Sequence, residues 1–445
     1  MACRIAVFGT GYLGATHAAC MAALGHEVIG VDVDLKKLEV LATGQAPFFE
    51  PGLDEMLAAQ LDSGRLRFTS AYAEAAEFAD IHFIAVPTPQ RRGDFAADLT
   101  YVDAVVADLA PLLRKPAVIL GKSTVPVGTT AKLSLMAEQL SPVGDAVEVA
   151  WNPEFLREGR AVQDTLHPDR IVLGVGPASQ GAAEAATRLV YGDSVAAGVP
   201  FLVTDRETAE LVKTAANAFL ATKISFINAM SEICEASRAD VSELADALGY
   251  DIRIGRNFLN AGIGFGGGCL PKDIRALMAR AGELGANQAV TLLGTVDGIN
   301  MRQRTKIVEL TRAMTGGTLI GAKVAVLGAA FKPDSDDIRD SPALNISGQI
   351  QLQGASVSVF DPKAIDNARR LFPTLHYARD VREACNAADI TLVLTEWEEF
   401  RRLEPDDLKP LVRRPLIIDG RNCLDPAKWH RGGWVYRGVG RRPAT

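Results

Sequence analysis

One thiol in a glycine-rich loop is the strongest candidate for covalent chemistry in this sequence. The stretch "GIGFGGGCLPKD", residues 262–273, places five glycines ahead of Cys269. Pro271 suits the first turn of a helix, so the thiol is expected at a helix N-terminus with Lys272 close by, and both features favour the thiolate. We interpret the glycines as keeping the sulfur open to a substrate atom and Cys269 as a nucleophile. The alternative is a small cysteine packed in a glycine loop, the interpretation kept for Cys3, Cys20, Cys234, Cys385 and Cys423.

A second candidate site is a glycine fingerprint near the N-terminus. Gly9, Gly11 and Gly14 follow a short apolar run and have the G-x-G-x-x-G spacing. Such glycines permit a tight turn, close approach of a pyrophosphate and close helix packing, and the phosphates then rest on a helix N-terminus. Asp32 ends the next apolar run, where its carboxylate would accept from a ribose 2′-hydroxyl and repel a 2′-phosphate. The pattern predicts an NAD site rather than an NADP site, and the alternative is an ordinary glycine turn.

Two pairs of polar residues are spaced for joint chemistry. Lys213 and Asn217 are four apart in a helical pattern and share one face, although a snorkelling lysine beside a solvated asparagine would look the same. Glu154 and Glu158 in "WNPEFLREG" are also four apart and would lie on one side if that segment were helical. Paired carboxylates do acid–base work, but they are also common on helix surfaces.

The elements around these residues predict three units. Residues 1–203 alternate strands and helices, which indicates a doubly wound parallel sheet, here an NAD-binding Rossmann domain. Residues 316–445 repeat the pattern weakly: "GASVSVFDP" echoes "GHEVIGVDVD", and "ADITLVLTEWEEF" echoes "ADIHFIAVPTP". This Rossmann-like unit lacks the full fingerprint and is expected to bind something other than a dinucleotide. The fold class is therefore α/β, with two such domains joined by a central helical domain.

The central unit, residues 204–315, is expected to contain one long helix. The segment 205–238 has no internal Gly or Pro and would be about 50 Å long. Thr204 and Glu207 have the spacing of a capping box. Apolar residues on most of its faces predict a largely buried helix that bridges two domains or pairs with a second subunit.

The bulk composition excludes several classes of function. The 445 residues are 48% hydrophobic and 23% charged, with a net charge of -7, which gives no reason to expect nucleic acid or an anionic membrane as partner. No apolar run suits a membrane span, and no signal peptide or metal-ligand spacing is evident. Six scattered cysteines favour the reducing cytoplasm over a disulfide framework. The basic stretch "RGGWVYRGVGRRPAT" at the C-terminus is expected to be a solvated tail.

Taken together, several motifs resemble the nucleotide-sugar 6-dehydrogenase family. The segments that carry the resemblance, in the family's order, are "AVFGTGYLG", "VPTP", "KSTVPVGTT", "NPEFLREG", "AELVKTAANAFLATKISFINAMSEIC", "GIGFGGGCLPKD", "FKPDSDDIRDSP" and "IIDGRN". The resemblance implies a four-electron oxidation in which a sugar C6 alcohol becomes a carboxylate and two NAD are reduced. The cysteine carries a thiohemiacetal and then a thioester. UDP-glucose is the expected substrate, and a homodimer formed through the long helix is the expected assembly.

The resemblance also implies roles for individual residues. Lys213 and Asn217 would hold the C6 oxygen and stabilise its developing negative charge. Asp273 and Thr124 would position a water, and Asp273 is a candidate base for the first oxidation. Glu154 would act as base toward the hydrolytic water.

Binding residues follow from the same motifs. The expected cofactor-binding set is Gly9, Thr10, Gly11, Tyr12, Leu13, Gly14, Asp32, Lys37, Pro87, Thr88, Ser123, Thr124, Glu158, Lys272 and Arg339. The expected substrate-binding set is Phe155, Leu156, Arg157, Glu158, Lys213, Asn217, Arg253, Phe258, Leu259, Phe265, Gly266, Cys269, Lys332 and Arg421. Within these sets Glu158 would lie between substrate and nicotinamide, and Arg253 would reach the phosphates of a neighbouring subunit's ligand.

Alternatives remain at the level of substrate and activity. The family usually has serine where this chain has Gly268, and many members have phenylalanine where it has Leu270, a leucine shared with the GDP-mannose branch. GDP-mannose is therefore the rival substrate, whereas UDP-N-acetylmannosamine dehydrogenases usually carry histidine before the cysteine. A binding protein without turnover should have lost Cys269, Lys213 or Asp273. A two-electron alcohol dehydrogenase would not need the thiol.

Overall fold

The computed structural model describes residues 2–442. The chain forms two compact units, which divide between Ala216 and Asn217. This division falls inside the long helix and does not coincide with either predicted domain boundary, so the three predicted domains remain a prediction.

The first unit is built on an eight-stranded sheet in the order β3-β2-β1-β4-β5-β6-β7-β8. Its neighbouring strands are parallel except for β6 and β7. Its strands are β1 (Arg4–Phe8), β2 (Glu27–Val31), β3 (Leu66–Thr69), β4 (Ile81–Ile84), β5 (Ala117–Gly121), β6 (Val147–Trp151), β7 (Ile171–Val175) and β8 (Phe201–Asp205). Its helices are α1 (Tyr12–Ala23), α2 (Leu35–Ala42), α3 (Leu53–Asp62), α4 (Tyr72–Phe78), α5 (Thr100–Leu109), α6 (Thr129–Leu140), α7 (Ala161–Leu166), α8 (Ala182–Val190) and α9 (Gly192–Ala196), with 3-10 turns at Ala110–Leu112 and Gly144–Ala146.

Both faces of this sheet are buried, as expected for a doubly wound sheet. Along β1, Ile5 and Val7 pack into one hydrophobic cluster, and Ala6 and Phe8 pack into another. The short apolar run before the glycine fingerprint is therefore the buried central strand that the sequence predicted.

The long helix α10 (Arg206–Ser237) begins and ends within one residue of the predicted bounds. The predicted capping box is wrong, because Thr204 lies in β8 and pairs with Gly174. The cap is Asp205, whose Oδ1 accepts a hydrogen bond from the backbone N–H of Thr208 at 2.7 Å. The helix begins one residue later than expected, and the capping role moves with it.

The second unit is built on a six-stranded parallel sheet in the order β11-β10-β9-β12-β13-β14. Its strands are β9 (Lys323–Leu327), β10 (Ser356–Phe360), β11 (His376–Tyr377), β12 (Ile390–Val393), β13 (Leu416–Asp419) and β14 (Val435–Gly438). The order repeats that of the first six strands of the other sheet, which confirms the predicted duplication. The helices that follow α10 are α11 (Val241–Gly249), α12 (Leu270–Glu283), α13 (Asn287–Met314), α14 (Pro342–Leu352), α15 (Ile365–Leu371), α16 (Val381–Cys385), α17 (Glu398–Arg401), α18 (Pro405–Leu408) and α19 (Pro426–Arg431).

Two expectations about exposure are wrong. The prediction that α10 is largely buried fails on one face, where Phe219, Phe226 and Ile233 are 67%, 45% and 59% exposed. The C-terminal stretch is packed rather than solvated: Trp434 and Tyr436 are buried. Residues 443–445 of that stretch lie outside the described residues. Between residues 2 and 442, no helix is long and apolar enough to cross a membrane.

Candidate active-site residues

The fingerprint glycines of the first unit have the predicted geometry. Gly9 adopts a φ of 90°, which makes the tight turn after β1. A Cβ on Gly14 would lie 1.7 Å from the carbonyl oxygen of Gly9, so α1 packs closer than any side chain allows. A Cβ on Gly11 would meet, beyond its chain neighbours, no atom of residues 2–442 within 4 Å. The N-terminus of α1 is thus open to a ligand, as pyrophosphate binding requires.

Asp32 lies directly after β2 and is held by a dense set of donors. Its Oδ2 accepts from the N–H and the hydroxyl of Thr10 at 2.8 and 2.9 Å and from Lys37 Nζ at 2.8 Å. Burial favours the neutral acid, but the bonds from Lys37, Asp34 and Thr10 outweigh it and hold the pKa of Asp32 below its ordinary value. The predicted residues Thr10, Asp32 and Lys37 therefore form one hydrogen-bonded cluster around an ionised Asp32 at the end of β2.

The remaining predicted cofactor residues of this unit lie in the loops after β4 and β5. Thr88 donates its hydroxyl to the carbonyl of Thr124 at 2.8 Å, and Ser123 donates to the carbonyl of Val86 at 2.7 Å. Pro87 lies in the same loop as Thr88. The carboxyl ends of parallel strands in such a sheet are where ligands bind.

Glu50 was not predicted, yet it connects two predicted segments. The hydroxyl of Tyr12 donates to its carboxylate, which also accepts from the backbone of Gly159 at 2.6 Å and of Ala161 at 2.7 Å. Glu50 therefore ties the fingerprint to the chain just after Glu158, which is itself buried. Nothing in the motif "FFEPGL" marks the Gly159 and Ala161 partners, since they lie more than 100 positions away.

The segment that contains Glu154 and Glu158 is a loop, so the interpretation of a shared helix face is wrong. Glu154 Oε2 pairs with Lys122 Nζ at 2.9 Å, and Oε1 accepts from the backbone N–H groups of Phe155 and Leu156 at 2.7 and 3.0 Å. Burial would raise the pKa of Glu154, but Lys122 and these bonds lower it below its ordinary value. Glu154 is thus an ionised carboxylate.

Three predicted residues border this loop. The ring of Phe155 lies 3.9 Å from the guanidinium of Arg170 and 5.6 Å from Lys213 Nζ. Arg157 forms an ion pair with Asp164 at 2.6 Å. Glu154, Phe155 and Lys213 are therefore neighbours in the first unit.

In the second unit, Cys269 is exposed and is the N-cap residue of α12, as predicted. Asp273, in the first turn, is 1% exposed. Its Oδ2 accepts from Asn217 Nδ2 at 2.7 Å, and its Oδ1 pairs with Lys272 Nζ at 2.6 Å. Asn217, Lys272 and Asp273 therefore meet at the helix end that carries the thiol.

The interpretation that the glycines clear space for a ligand is wrong at all five positions, because protein atoms already fill that space. Each added Cβ would lie within 3 Å of a neighbour: Gly262 near the Gly420 carbonyl (2.8 Å), Gly264 near Asn300 (2.3 Å), Gly266 near the Asp340 carbonyl (2.4 Å), Gly267 near the Phe331 ring (2.8 Å) and Gly268 near the Arg339 guanidinium (2.1 Å). The glycines let the loop pack tightly, and the usual serine of the family would meet Arg339 at position 268.

The predicted arginines of the second unit already have protein partners. Arg421 donates to the carbonyls of Gly264, Phe331 and Leu394 at 2.9, 3.1 and 3.0 Å, so it holds the glycine-rich loop. Arg339 pairs with Asp337 at 2.7 Å, and the exposed Arg253 pairs with Asp251 at 2.5 Å. Their ligand contacts remain predictions.

The other predicted substrate residues of this unit differ in exposure. The side chains of Leu259 and Phe265 are buried in hydrophobic clusters. Phe258 is exposed and has a φ of 65°. Lys332 Nζ lies 5.4 Å from the ring of Phe331.

The counterpart of Asp32 in the second sheet is Asp361, directly after β10. Its Oδ2 accepts from the backbone of Ala329 and Ala330 at 2.8 and 3.0 Å and from Trp397 Nε1 at 3.0 Å. Its Oδ1 accepts two further backbone bonds from Lys363 and Ala364. Asp361 thus accepts five hydrogen bonds, against four at Asp32, and ties together the loops that follow β9, β10 and β12.

An open glycine fingerprint, an ionised carboxylate after the second strand and a separate exposed thiol define the class of NAD-dependent dehydrogenases with two Rossmann-like sheets. Family models of the UDP-glucose/GDP-mannose dehydrogenase family match its NAD binding domain at residues 3–193, its central domain at 207–302 and its UDP binding domain at 325–426. The chain belongs to the UDP-glucose/GDP-mannose dehydrogenase family.

Relatives in this family match over nearly the whole chain. The chain is 43% identical to UDP-glucose 6-dehydrogenase of Rhizobium meliloti (strain 1021), over 98% of this chain and 99% of the relative. It is 40% identical to UDP-glucose 6-dehydrogenase TuaD of Bacillus subtilis (strain 168), over 98% and 93%. A solved UDP-glucose dehydrogenase from Pyrobaculum islandicum superposes with a TM-score of 0.89 at 36% identity, covering 99% of this chain and 98% of that one.

Proposed function

We propose that this protein oxidises UDP-glucose to UDP-glucuronate with two NAD, through a covalent intermediate on Cys269. The observation that carries the proposal is the exposed thiol at the start of α12, one turn before a buried Asp273 held by Asn217 and Lys272. The relatives named for UDP-glucose support this sugar over GDP-mannose. NAD, when bound, accepts one hydride in each of the two oxidations.

In the first oxidation, Asp273 takes the proton of the C6 hydroxyl as the hydride leaves C6. Its bonds to Asn217 and Lys272 keep it oriented for this task. Lys213 and Asn217 stabilise the negative charge that develops on the C6 oxygen. The product is an aldehyde.

In the second oxidation, the sulfur of Cys269 adds to the aldehyde carbon and forms a thiohemiacetal. Loss of a hydride from that carbon and of the proton from its hydroxyl leaves a thioester. Water, positioned with the help of Thr124, then attacks the thioester carbonyl while Glu154 accepts its proton. The C–S bond breaks and the thiol is restored. In sum, two hydrides leave the sugar and one water oxygen enters it.

Substrate and mechanism are tested by counting NADH against several nucleotide sugars. We expect two NADH per UDP-glucose, and we expect Cys269→Ser to stop acid formation. Faster turnover of GDP-mannose than of UDP-glucose would transfer the assignment to that substrate. Acid formation at the normal rate by Cys269→Ser would refute the covalent step.

We also propose a cytoplasmic homodimer that forms through α10. Phe219, Phe226 and Ile233 are seven residues apart in turn and expose an apolar stripe on one face of the helix. Such a dimer would give Arg253 a neighbouring subunit to reach. Phe226→Glu should shift the mass in analytical ultracentrifugation from dimer to monomer. The matched change Leu352→Glu, at an 88% exposed leucine elsewhere, should leave it unchanged. A dimer that survives Phe226→Glu would place the interface elsewhere.

A further inference from the structure

A buried lysine lies behind Glu154, and the reaction described above gives it no task. Lys122 follows β5 directly and is 3% exposed. Its ammonium pairs with Glu154 Oε2 at 2.9 Å and donates to Asn152 Oδ1 at 3.1 Å and to the hydroxyl of Tyr191 at 3.0 Å. The three donors of the ammonium are thus directed at three acceptors, so its position is fixed.

The sheet brings these residues together. Gly121 at the end of β5 pairs in register with Trp151 at the end of β6. Lys122 directly follows β5 and Asn152 directly follows β6, so the two residues leave neighbouring strand ends. The loop that continues from Asn152 carries Glu154. Lys122 consequently contacts the Glu154 side chain from the end of the neighbouring strand.

The surroundings of Glu154 make Lys122 its dominant partner. Lys213 on α10 adds a weaker favourable charge, whereas burial opposes ionisation more strongly than any other influence. The groups that face Glu154, or line the cavity that it and Lys122 share, are Cys20 on α1, Asn152, Arg157, Asp164, His167, Asp169, Arg170, Tyr191 and Lys213. Of these, Arg157 and Asp164 are paired with each other, and Arg170 lies over the ring of Phe155.

We propose that Lys122 is a positioning residue for the hydrolytic step: it keeps Glu154 ionised and aims its carboxylate, so that the thioester is hydrolysed at neutral pH. The proposal rests on the proposed function, in which Glu154 accepts the proton of the attacking water. Lys122 itself contacts Glu154 and not the reacting atoms. Without the ammonium, a buried carboxylate takes up a proton at higher pH and can no longer act as base.

The sign of the expected change follows from this pairing. The pKa of Glu154 is lowered in the intact protein, so the acidic limb of the rate profile lies at low pH. In Lys122→Met, burial, the backbone bonds from Phe155 and Leu156 and weaker charges remain, and with the largest favourable influence gone the limb should move up by at least one pH unit. On the acidic side of the new limb, acid formation then falls about tenfold below that of the intact protein.

The experiment measures UDP-glucuronate formation against pH for the full-length protein and four variants: Lys122→Met, Glu154→Gln, the double variant, and Lys132→Met as a control. Lys132 belongs to an exposed pair with Asp103 in the same unit. The proposal expects the midpoint to move in Lys122→Met and to stay in Lys132→Met. It also expects the double variant to form UDP-glucuronate at the same rate and with the same pH dependence as Glu154→Gln alone. A rate lowered by one factor at every pH, with an unmoved midpoint, would reduce Lys122 to a structural role and overturn the proposal.

Thermal unfolding gives a second readout that needs no substrate. Because the folded-state pKa of Glu154 is lowered, the pair stabilises the protein above the ordinary glutamate pKa and loses this contribution as pH falls. The gap in melting temperature between intact protein and Lys122→Met should therefore be wide at pH 7 and narrow toward pH 4. A difference in melting temperature that stays the same from pH 7 to pH 4 would show that Lys122 does not hold Glu154 ionised, which overturns the proposal. If no nucleotide sugar is oxidised, the proposed function fails, while the melting result still decides whether Lys122 holds Glu154 ionised.

A folding failure of Lys122→Met would also be informative. Removing one member of a buried ion pair leaves an uncompensated charge, and neutralising the other member relieves it. Recovery of a folded protein in Lys122→Met/Glu154→Gln supports the pairing. A double variant that also fails to fold would show that the lysine is needed for packing, which overturns the proposal.

Discussion

Removing the Asp32 carboxylate should weaken NAD binding and relax the preference against NADP. A hydrogen bond to a charged group contributes about 1.5–3 kcal/mol, so loss of the ribose contact in Asp32→Ala should raise the dissociation constant of NADH roughly 10- to 150-fold. Lys37 Nζ, now 2.8 Å from Asp32, would lose its partner and face the position of a 2′-phosphate. The ratio of NADPH to NADH dissociation constants should therefore fall.

The assay is fluorescence titration of NADH and NADPH on the purified variant. Asp34→Ala is the matched control: the Asp34 side chain caps α2 by accepting from the backbone of Lys37, whereas only its backbone N–H, which alanine keeps, donates to Asp32. It should cost about 1 kcal/mol of stability and leave NADH affinity unchanged. Unchanged NADH affinity in Asp32→Ala would refute the ribose role, and an equal loss in Asp34→Ala would attribute the effect to local unfolding.

Two further predictions concern stability. In the glycine-rich loop, Gly266→Ala should lower the free energy of unfolding by about 1–3 kcal/mol in denaturant titration, because its Cβ meets a backbone atom at 2.4 Å. Gly268→Ala should lower it less, because its Cβ meets the flexible end of Arg339. Equal losses in the two variants would refute this distinction. Burial lowers the pKa of His82 in the folded protein to about 3. As pH falls below about 6.5, the ordinary histidine pKa, His82 therefore takes up a proton in the unfolded chain but not in the folded one. This difference should lower the free energy of unfolding by about 2 kcal/mol at pH 5. His82→Leu should lose less stability between pH 7 and pH 5 than the intact protein, with the exposed His167→Leu as control; identical losses in all three proteins would show that His82 does not drive the acid sensitivity.

Local sequence was enough to predict the backbone geometry of the glycine fingerprint and the position of Asp32 at a strand end. Gly9, Gly14 and Asp32 act through a turn, a helix contact and a strand end, and all three depend on residues close in sequence or on the predicted sheet. The position of Cys269 at a helix start followed in the same way from the proline two residues later.

Contacts between distant segments could not be predicted. Lys122 meets Glu154 because two strands pair in register, and no local pattern specifies that register. A lysine directly after a buried apolar strand was the available signal, since a buried charge must find a partner. The glycines before Cys269 were misinterpreted for the same reason: Phe331 and Arg339, which fill their space, are more than 60 positions away.

The C-terminal stretch illustrates the limit of composition. Its arginines suggested a solvated tail, but Arg441 pairs with Asp240 at 2.7 Å and Val439 is buried. A basic segment can pack against the protein where the fold supplies an acidic partner. For Arg441 that partner, Asp240, lies 201 positions earlier in the sequence, so the composition of the segment does not reveal it.

The covalent role of Cys269 is tested most directly by peptide mass mapping of Glu154→Gln after one turnover with UDP-glucose and NAD. Slowed hydrolysis should leave the peptide that contains Cys269 carrying the oxidised nucleotide sugar as a thioester, with two NADH formed per subunit. An unmodified Cys269 peptide in protein that has formed two NADH per subunit would contradict the account.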